Sequence, residues 1–179
     1  MKNLLVTGLI AVSFSFASCE NRSEPIPESD FEKLPSLTVE KFTTTMSDSG
    51  MTEVILRAPL MERYDSRDNP YTEFRQGINV IFYDRKPEPQ GTVTSRYARY
   101  DQDKDLWELK DSVVVINNEG DKLETELLNW DQKKDLIYTD RFVKITGTDQ
   151  IIQGFGFESD SHLRRQKIRK VSATIYLDE

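Results

Sequence analysis

The sequence predicts an all-β fold built as a series of antiparallel hairpins. Three observations carry that prediction. Beyond residue 36, apolar residues recur with a period of two and almost never with the helical period. Clusters of Asn, Asp, Ser, Gly and Pro interrupt the apolar runs at short intervals, as turns between strands require. One pattern is also written twice: RYDQDKDLWELKDSVVV at 99–115 returns as NWDQKKDLIYTDRFVKI at 129–145.

The first element stands apart from that fold. Lys2 precedes an apolar run, Leu4–Phe16, that is shorter than the ~20 residues of a spanning helix. It fits the apolar region of a signal peptide. The run closes on Phe16-Ala17-Ser18-Cys19, which resembles the box of small residues before a lipidated cysteine, and Cys19 is the sole cysteine. Residues 1–18 therefore read as a lipoprotein signal peptide and Cys19 as the lipid attachment, the alternative being a secretory signal with a stray cysteine. Two or more acyl chains would hold an exported bacterial protein stably on a membrane. Residues 19–36 place Pro25, Pro27 and Pro35 among charged side chains, the composition of an extended, semi-rigid tether.

The folded part, residues 37–179, alternates. Val54, Leu56 and Ala58 oppose Ile55 and Arg57; Ile78, Val80 and Phe82 oppose Asn79, Ile81 and Tyr83. Leu123, Thr125 and Leu127 oppose Glu124, Glu126 and Leu128, and Val171, Ala173, Ile175 and Leu177 oppose Ser172, Thr174 and Tyr176. These are half-buried antiparallel strands. Turn residues at 47–50, 66–70, 85–91 and 117–121 tolerate tight or left-handed backbone. The repeat then extends to four units, 55–84, 93–120, 124–149 and 151–179, each a strand, an acidic turn and a returning strand. Hairpins in series at a near-constant period describe an array, not a closed barrel.

Composition removes several functions. With 31% charged and 10% aromatic residues the chain is soluble and globular, and its formal charge of −7 argues against nucleic acid as a partner. One Cys and one His allow neither a Cys/His metal site nor an intramolecular disulfide. Asp101, Asp103 and Asp105 suggest a Ca²⁺ loop, but an EF-hand needs Gly and Glu where Leu106 and Ser112 stand, and Lys133 replaces Asp103 in the second copy. The acidic string is hairpin-turn chemistry, and no metal is expected. Gly154 and Gly156 lack the third glycine of a nucleotide loop, Ser159 standing there, so they mark a bulge or close backbone approach. Glu124 and Glu126 read as exposed decoration, and His162 as a solvent-facing residue without an Asp or Ser partner. No catalytic residue and no cofactor is expected.

Two features keep alternatives open. One strand face gathers Leu56, Ala58, Val80, Phe82, Val113, Val115, Leu127, Val143, Ile145, Phe155 and Phe157, which either pack a closed core or line an apolar groove. A one-residue slip of register would exchange the faces. The run Arg164, Arg165, Lys167, Arg169 and Lys170 is either a solvated turn or a contact for lipid phosphate or an acidic partner.

The serial units resemble the LptC family of periplasmic lipopolysaccharide-export proteins, within the group sharing the OstA/LptA-type β-fold. The resemblance rests on Ala98–Asp101 and Asn129–Asp131, each followed by a strand (Asp111–Val115 and Asp140–Ile145). Gly154–Asp160 is similar to the family's C-terminal G-x-G-F-x-x-D pattern, and the likeness spans roughly residues 37–177. It implies an open antiparallel β-taco or β-jellyroll whose apolar interior holds the acyl chains of lipopolysaccharide. It further implies edge-to-edge docking, upstream to the periplasmic domain of an inner-membrane ABC transporter and downstream to an LptA-like periplasmic bridge protein. Family members often carry an N-terminal transmembrane helix where this chain carries a lipidation signal, so no regulatory role of such a helix is implied. The alternatives are a bridge or outer-membrane member of the same fold group, a surface glycan-binding lipoprotein, and an assembly lipoprotein without ligand.

Overall fold

The computed structural model describes residues 34–83, 86–160 and 166–176, the last five as backbone only. They belong to one unit, Phe31–Glu179; the unit Met1–Asp30, which holds Cys19 and the residues read as a signal peptide, lies outside the described residues, as do Arg164, Arg165 and His162.

Eleven strands form a single antiparallel sheet: β1 (Leu37–Asp48), β2 (Met51–Tyr64), β3 (Tyr71–Phe74), β4 (Ile78–Phe82), β5 (Gly91–Ser95), β6 (Tyr97–Asp101), β7 (Leu106–Asn117), β8 (Lys122–Asp131), β9 (Leu136–Thr146), β10 (Gln150–Ser159) and β11 (Lys167–Tyr176). No helix occurs among the described residues. β3 and β4 both pair with β2, and β5 and β6 both pair with β7, so each couple is one long strand interrupted partway. The path is a meander in which chain neighbours lie side by side, and the four repeat units are its successive hairpins.

Local chemistry closes the turns. Ser49 and Gly50, at φ 52° and 81°, form the two-residue turn between β1 and β2. Asn117 Oδ1 accepts the N–H groups of Glu119 (3.0 Å) and Asp121 (2.8 Å), and Gly120 supplies φ 89°. The two copies of the acidic turn are built alike. Lys104 donates its backbone N–H (3.0 Å) and ammonium (2.6 Å) to Asp101, and Lys134 does the same to Asp131 at the same distances. Asp105 and Asp135 take the left-handed position, at φ 55° and 50°. Lys133 Nζ also reaches the Asp103 carbonyl, tying one turn to the other. The repeated sequence is turn scaffold.

A line of irregularities crosses the sheet at mid-strand. In β7, Asp111 and Ser112 (φ 62° and 56°) face the single residue Glu126 of β8, between the pairs Lys110↔Leu127 and Val113↔Thr125. The register of β9 shifts against both neighbours between Tyr138 and Val143. The β3/β4 strand breaks at Arg75–Gly77, the β5/β6 strand at Arg96, and β10 shifts at Gly156, φ 78°. In β2, Pro59 has no N–H to give and lies unpaired, level with Lys41 of β1 (φ 52°). Such bulges bend a strand and re-aim its side chains.

The burial pattern records the bend. Buried positions step by three residues on β2 (Ala58 to Met61), β5/β6 (Ser95 to Ala98) and β8 (Thr125 to Leu128). On the intervening strands the step is four: Phe74 to Ile78, Leu109 to Val113, Thr139 to Val143. Neighbouring strands differ by the one bulge residue, so the inner face stays continuous across the line. Buried hydroxyls bond the carbonyls that the bulges free. Ser95 Oγ donates to Tyr97 O (2.9 Å), and Thr125 Oγ1 contacts both Phe142 O (2.9 Å) and Leu127 O (3.2 Å). At Gly77 (φ 85°) a Cβ would stand 2.3 Å from the Ser95 carbonyl oxygen, so only glycine fits.

Among the described residues nothing but the sheet itself can cover its faces. Yet Ala98, Val113, Val143 and Phe157 are 0% exposed, and one apolar cluster joins residues from both sides of the bulge line. The sheet therefore folds along that line, its crease, and the halves close on a shared core. This is the folded-over antiparallel architecture that the family resemblance implies.

Two residues assigned to the inner face are corrected by the crease. Leu127 is only half-buried and stands outside the core; Leu128, at 4% exposure, takes its place. Phe155 is 50% exposed while Phe157 is 0% exposed, because Gly156 reverses the alternation between them. Strict period two runs through a bulge on the wrong side.

Candidate functional site: an apolar trough and two open edges

The inner face opens with distance from the crease. On β2, Ala58 and Leu56 are buried and Val54 is partly exposed; on β4, Ile78 and Val80 are buried and Phe82 is partly exposed. On β9, Val143 gives way to Ile145 in one direction and Thr139 to Ile137 in the other; on β7, Leu109 gives way to Trp107. The interior is thus sealed where the halves meet and apolar but half-open at the rim. Of the residues read from sequence, Leu56, Ala58, Val80, Val113, Val115, Val143 and Phe157 are buried near the crease, and Phe82 and Ile145 stand at the rim.

The half of the trough beyond the crease was not anticipated. Met61, Phe74, Ala98, Leu109 and Leu128 line it, with Trp107 and Ile137 toward the rim. Aromatic rings follow one another there: Phe42 and Phe74 at 6.2 Å, Phe74 and Trp107 at 5.8 Å, Trp107 and Tyr100 at 4.9 Å. Trp107 is therefore a packing residue. Burial, with a hydrogen bond to Asp105 (2.8 Å), pushes the Tyr100 hydroxyl up to about 12, so it stays neutral. The signal that would have found this half is the three- or four-residue step at each crease, visible only once the bulges are placed.

Charged side chains beyond the crease are paired with one another. Arg75 bridges the cross-strand pair Glu62 and Glu73 (3.4 and 2.8 Å) and bonds Tyr64 Oη (2.8 Å); Tyr97 Oη donates to Glu73 (2.6 Å). Arg99 lies over the Tyr71 ring at 3.8 Å. In the turns, burial pushes the Asp101 carboxyl up, but the Lys104 bonds outweigh it and hold the group below the usual carboxylate range. At Asp131 the Lys134 ammonium is the main cause of the same lowering. Both carboxylates are engaged by their own turn lysine.

Gly154 and Gly156 sit at the crease of β10. A Cβ on Gly154 would stand 2.6 Å from Ile168 Cγ2 and from the Lys170 carbonyl oxygen, so β11 approaches as closely as glycine allows. Lys167, Arg169 and Lys170 belong to strand β11, not to a turn, and Arg169 is bonded to Glu158.

Among the described residues β1 and β11 are the outermost strands of the sheet. Among the described residues β1 pairs only with β2, and β11 only with β10. Each presents a row of backbone groups that another strand can pair. No described helix is long and apolar enough to cross a membrane.

A family model described as "Lipopolysaccharide-assembly, LptC-related" matches residues 3–176 of the 179-residue chain. No curated protein matches.

Proposed function

The chain belongs to the LptC-related lipopolysaccharide-assembly family, a family of transport components, and from that premise we propose how it handles its cargo. Family membership carries a role in lipopolysaccharide transport and a periplasmic, inner-membrane-associated place. The protein holds the acyl chains of lipopolysaccharide in the trough and passes the molecule onward without making or breaking a bond. The observation that carries this reading is the gradient of burial, sealed at the crease and half-open at an apolar rim of Val54, Phe82, Ile145, Trp107 and Ile137. Exposing hydrocarbon to water costs about 25 cal/mol per Å². An apolar trough through which chains can slide removes most of that cost along the path.

Cargo enters and leaves at the sheet edges. One edge adds to the periplasmic domain of the lipopolysaccharide-export ABC transporter and the other to an LptA-like periplasmic protein, each by strand pairing. That β1 and β11 each have a single strand neighbour among the described residues supports this arrangement. ATP hydrolysis at the transporter supplies direction. The chain is tethered to the membrane through a lipid on Cys19 after removal of residues 1–18, and the Arg164–Lys170 run contacts lipid phosphate or an acidic partner.

The test places a photo-crosslinking amino acid at Phe82 and mixes the protein with transporter-containing vesicles loaded with lipopolysaccharide. Adducts that need ATP are expected. Adducts of equal yield without ATP, or none, would reject delivery by the transporter. Membrane fractionation with Cys19→Ala tests the anchor: the variant should not be processed, and normal maturation would reject lipidation there.

A further inference from the structure

Buried hydroxyls at the crease have partners. Ser95 and Thr125 are bonded as described, and Thr139 Oγ1 accepts the Arg141 N–H at 3.1 Å. Among the described residues three buried side-chain polar atoms have no hydrogen-bond partner: Glu62 Oε2, Trp130 Nε1 and Ser159 Oγ. Glu62 Oε2 is still paired in charge with Arg75, at 3.4 Å. The other two share one place. Trp130 on β8 and Ser159 on β10 are both cross-strand partners of Ile137, which lies between them on β9. Side chains two residues apart on a strand share a face. Trp130 is two residues from buried Leu128, Ile137 two from Thr139, and Ser159 two from Phe157, so all three stand on the inner face. Trp107, the cross-strand partner of Trp130, continues the row. Ser159 is 3% exposed, whereas Trp130 and Ile137 are half-buried, so the row opens at the rim beside Ile137.

We propose that Trp130 and Ser159 form a polar subsite within the apolar trough, which takes the ester or amide carbonyl joining an acyl chain to its headgroup. The inference rests on the trough's carrying acyl chains, and adds where along its rim their polar end is held. An indole N–H can only donate and a hydroxyl can donate or accept, so both suit a carbonyl oxygen. A buried polar atom without a partner is costly, and folded proteins keep few of them. Bare hydrocarbon leaves both atoms as they are; a chain that brings its linkage in satisfies them. Neighbouring strands stand about 4.8 Å apart, so the two residues are about 10 Å apart at the backbone, with Ile137 as the apolar floor between them. That gap seats one linkage, with the hydrocarbon running on past Ile137 toward Trp107. The opposite rim, at Val54, Phe82 and Ile145, is apolar and suits hydrocarbon alone. The two rims therefore differ in what part of a lipid they fit.

The full chain, isotopically labelled at nitrogen and held in a carbonyl-free detergent, is titrated with methyl laurate or with dodecane and followed by nuclear magnetic resonance. Trp107 and Trp130 are its only tryptophans, so Trp130→Phe assigns both indole N–H signals. Methyl laurate should move the Trp130 signal downfield and dodecane should not, while the Trp107 signal responds to both. Ser159→Ala should lower the preference for the ester over the alkane about two- to tenfold, the worth of one hydrogen bond. It should leave the urea midpoint of the ligand-free protein unchanged or raised, because the hydroxyl it removes has no protein partner. A Trp130 signal that ignores the ester, or answers both probes alike, while Trp107 responds, overturns the subsite and leaves the trough reading standing. Neither signal moving with either probe rejects the trough reading, and the subsite with it. A midpoint lowered by Ser159→Ala assigns that hydroxyl to a structural water and overturns its place in the subsite.

Discussion

The crease and the rim of the same strand differ in kind. At the crease, Val143 and Phe157 lose all contact with solvent, and their neighbours are fixed by bulges, a left-handed glycine and buried hydroxyls. A few residues along, Ile145 and Phe82 remain apolar yet partly open. On the proposed reading, one inner face does two jobs. Packing that holds the sheet folded is concentrated on the line of the bend, which leaves the outer stretches of each strand free to meet a ligand. A closed core would bury the rim as deeply as the crease.

Substitutions at matched positions can break that contrast. The largest effect is expected for Phe157→Ala, at about 3–5 kcal/mol, because a fully packed ring leaves a cavity at the bend. Phe82→Ala at the rim should cost only about 1–2 kcal/mol, since less area is withdrawn from water there, while lowering lipid capture. Urea unfolding measures both, and equal losses would mean that the rim is core. Gly77→Ala should follow, at more than about 2 kcal/mol, adding a backbone clash to the ~1–2 kcal/mol of a left-handed alanine. Gly50→Ala, at φ 81° in an open turn with no atom within 4 Å, should show the conformational part alone.

Smaller effects sharpen the picture. Thr125→Val keeps the shape but leaves the Phe142 and Leu127 carbonyls without their hydroxyl, at about 1–2 kcal/mol. The smallest concerns acid. Asp101 and Asp131 have carboxyls lowered by their turn lysines, so their stabilisation is complete above the unfolded value near 4 and is lost as pH falls through the folded one. Asp101→Asn with Asp131→Asn should therefore lower the urea midpoint modestly at neutral pH and flatten its dependence on pH below about 4. A parent protein whose midpoint is flat from pH 5 to 2.5 would remove this role.

The sequence made the strands and turns legible because period two and turn residues are local signals. The repeat was legible for the same reason: Asp101 with Lys104 and Asp131 with Lys134 close identical turns within a few residues. The faces at Leu56, Val80, Val113 and Val143 follow from alternation over uninterrupted strand. Alternation fails at the crease. Leu127 yields to Leu128, and Phe155 turns outward, because a bulge on one strand answers a register shift on the next, a relation between residues distant in the chain. Gly154 and Gly156 signalled that bend in β10; in β7 it is made by Asp111 and Ser112, which carry no such warning.

The central claim is best tested by scanning a photo-crosslinking residue over both faces of the sheet in the presence of lipopolysaccharide alone. The account predicts acyl-chain adducts at Val54, Phe82 and Ile145 on the inner rim and none at Arg57 or Glu126 on the outer face. Adducts spread equally over both faces, or absent from every rim position, would contradict it.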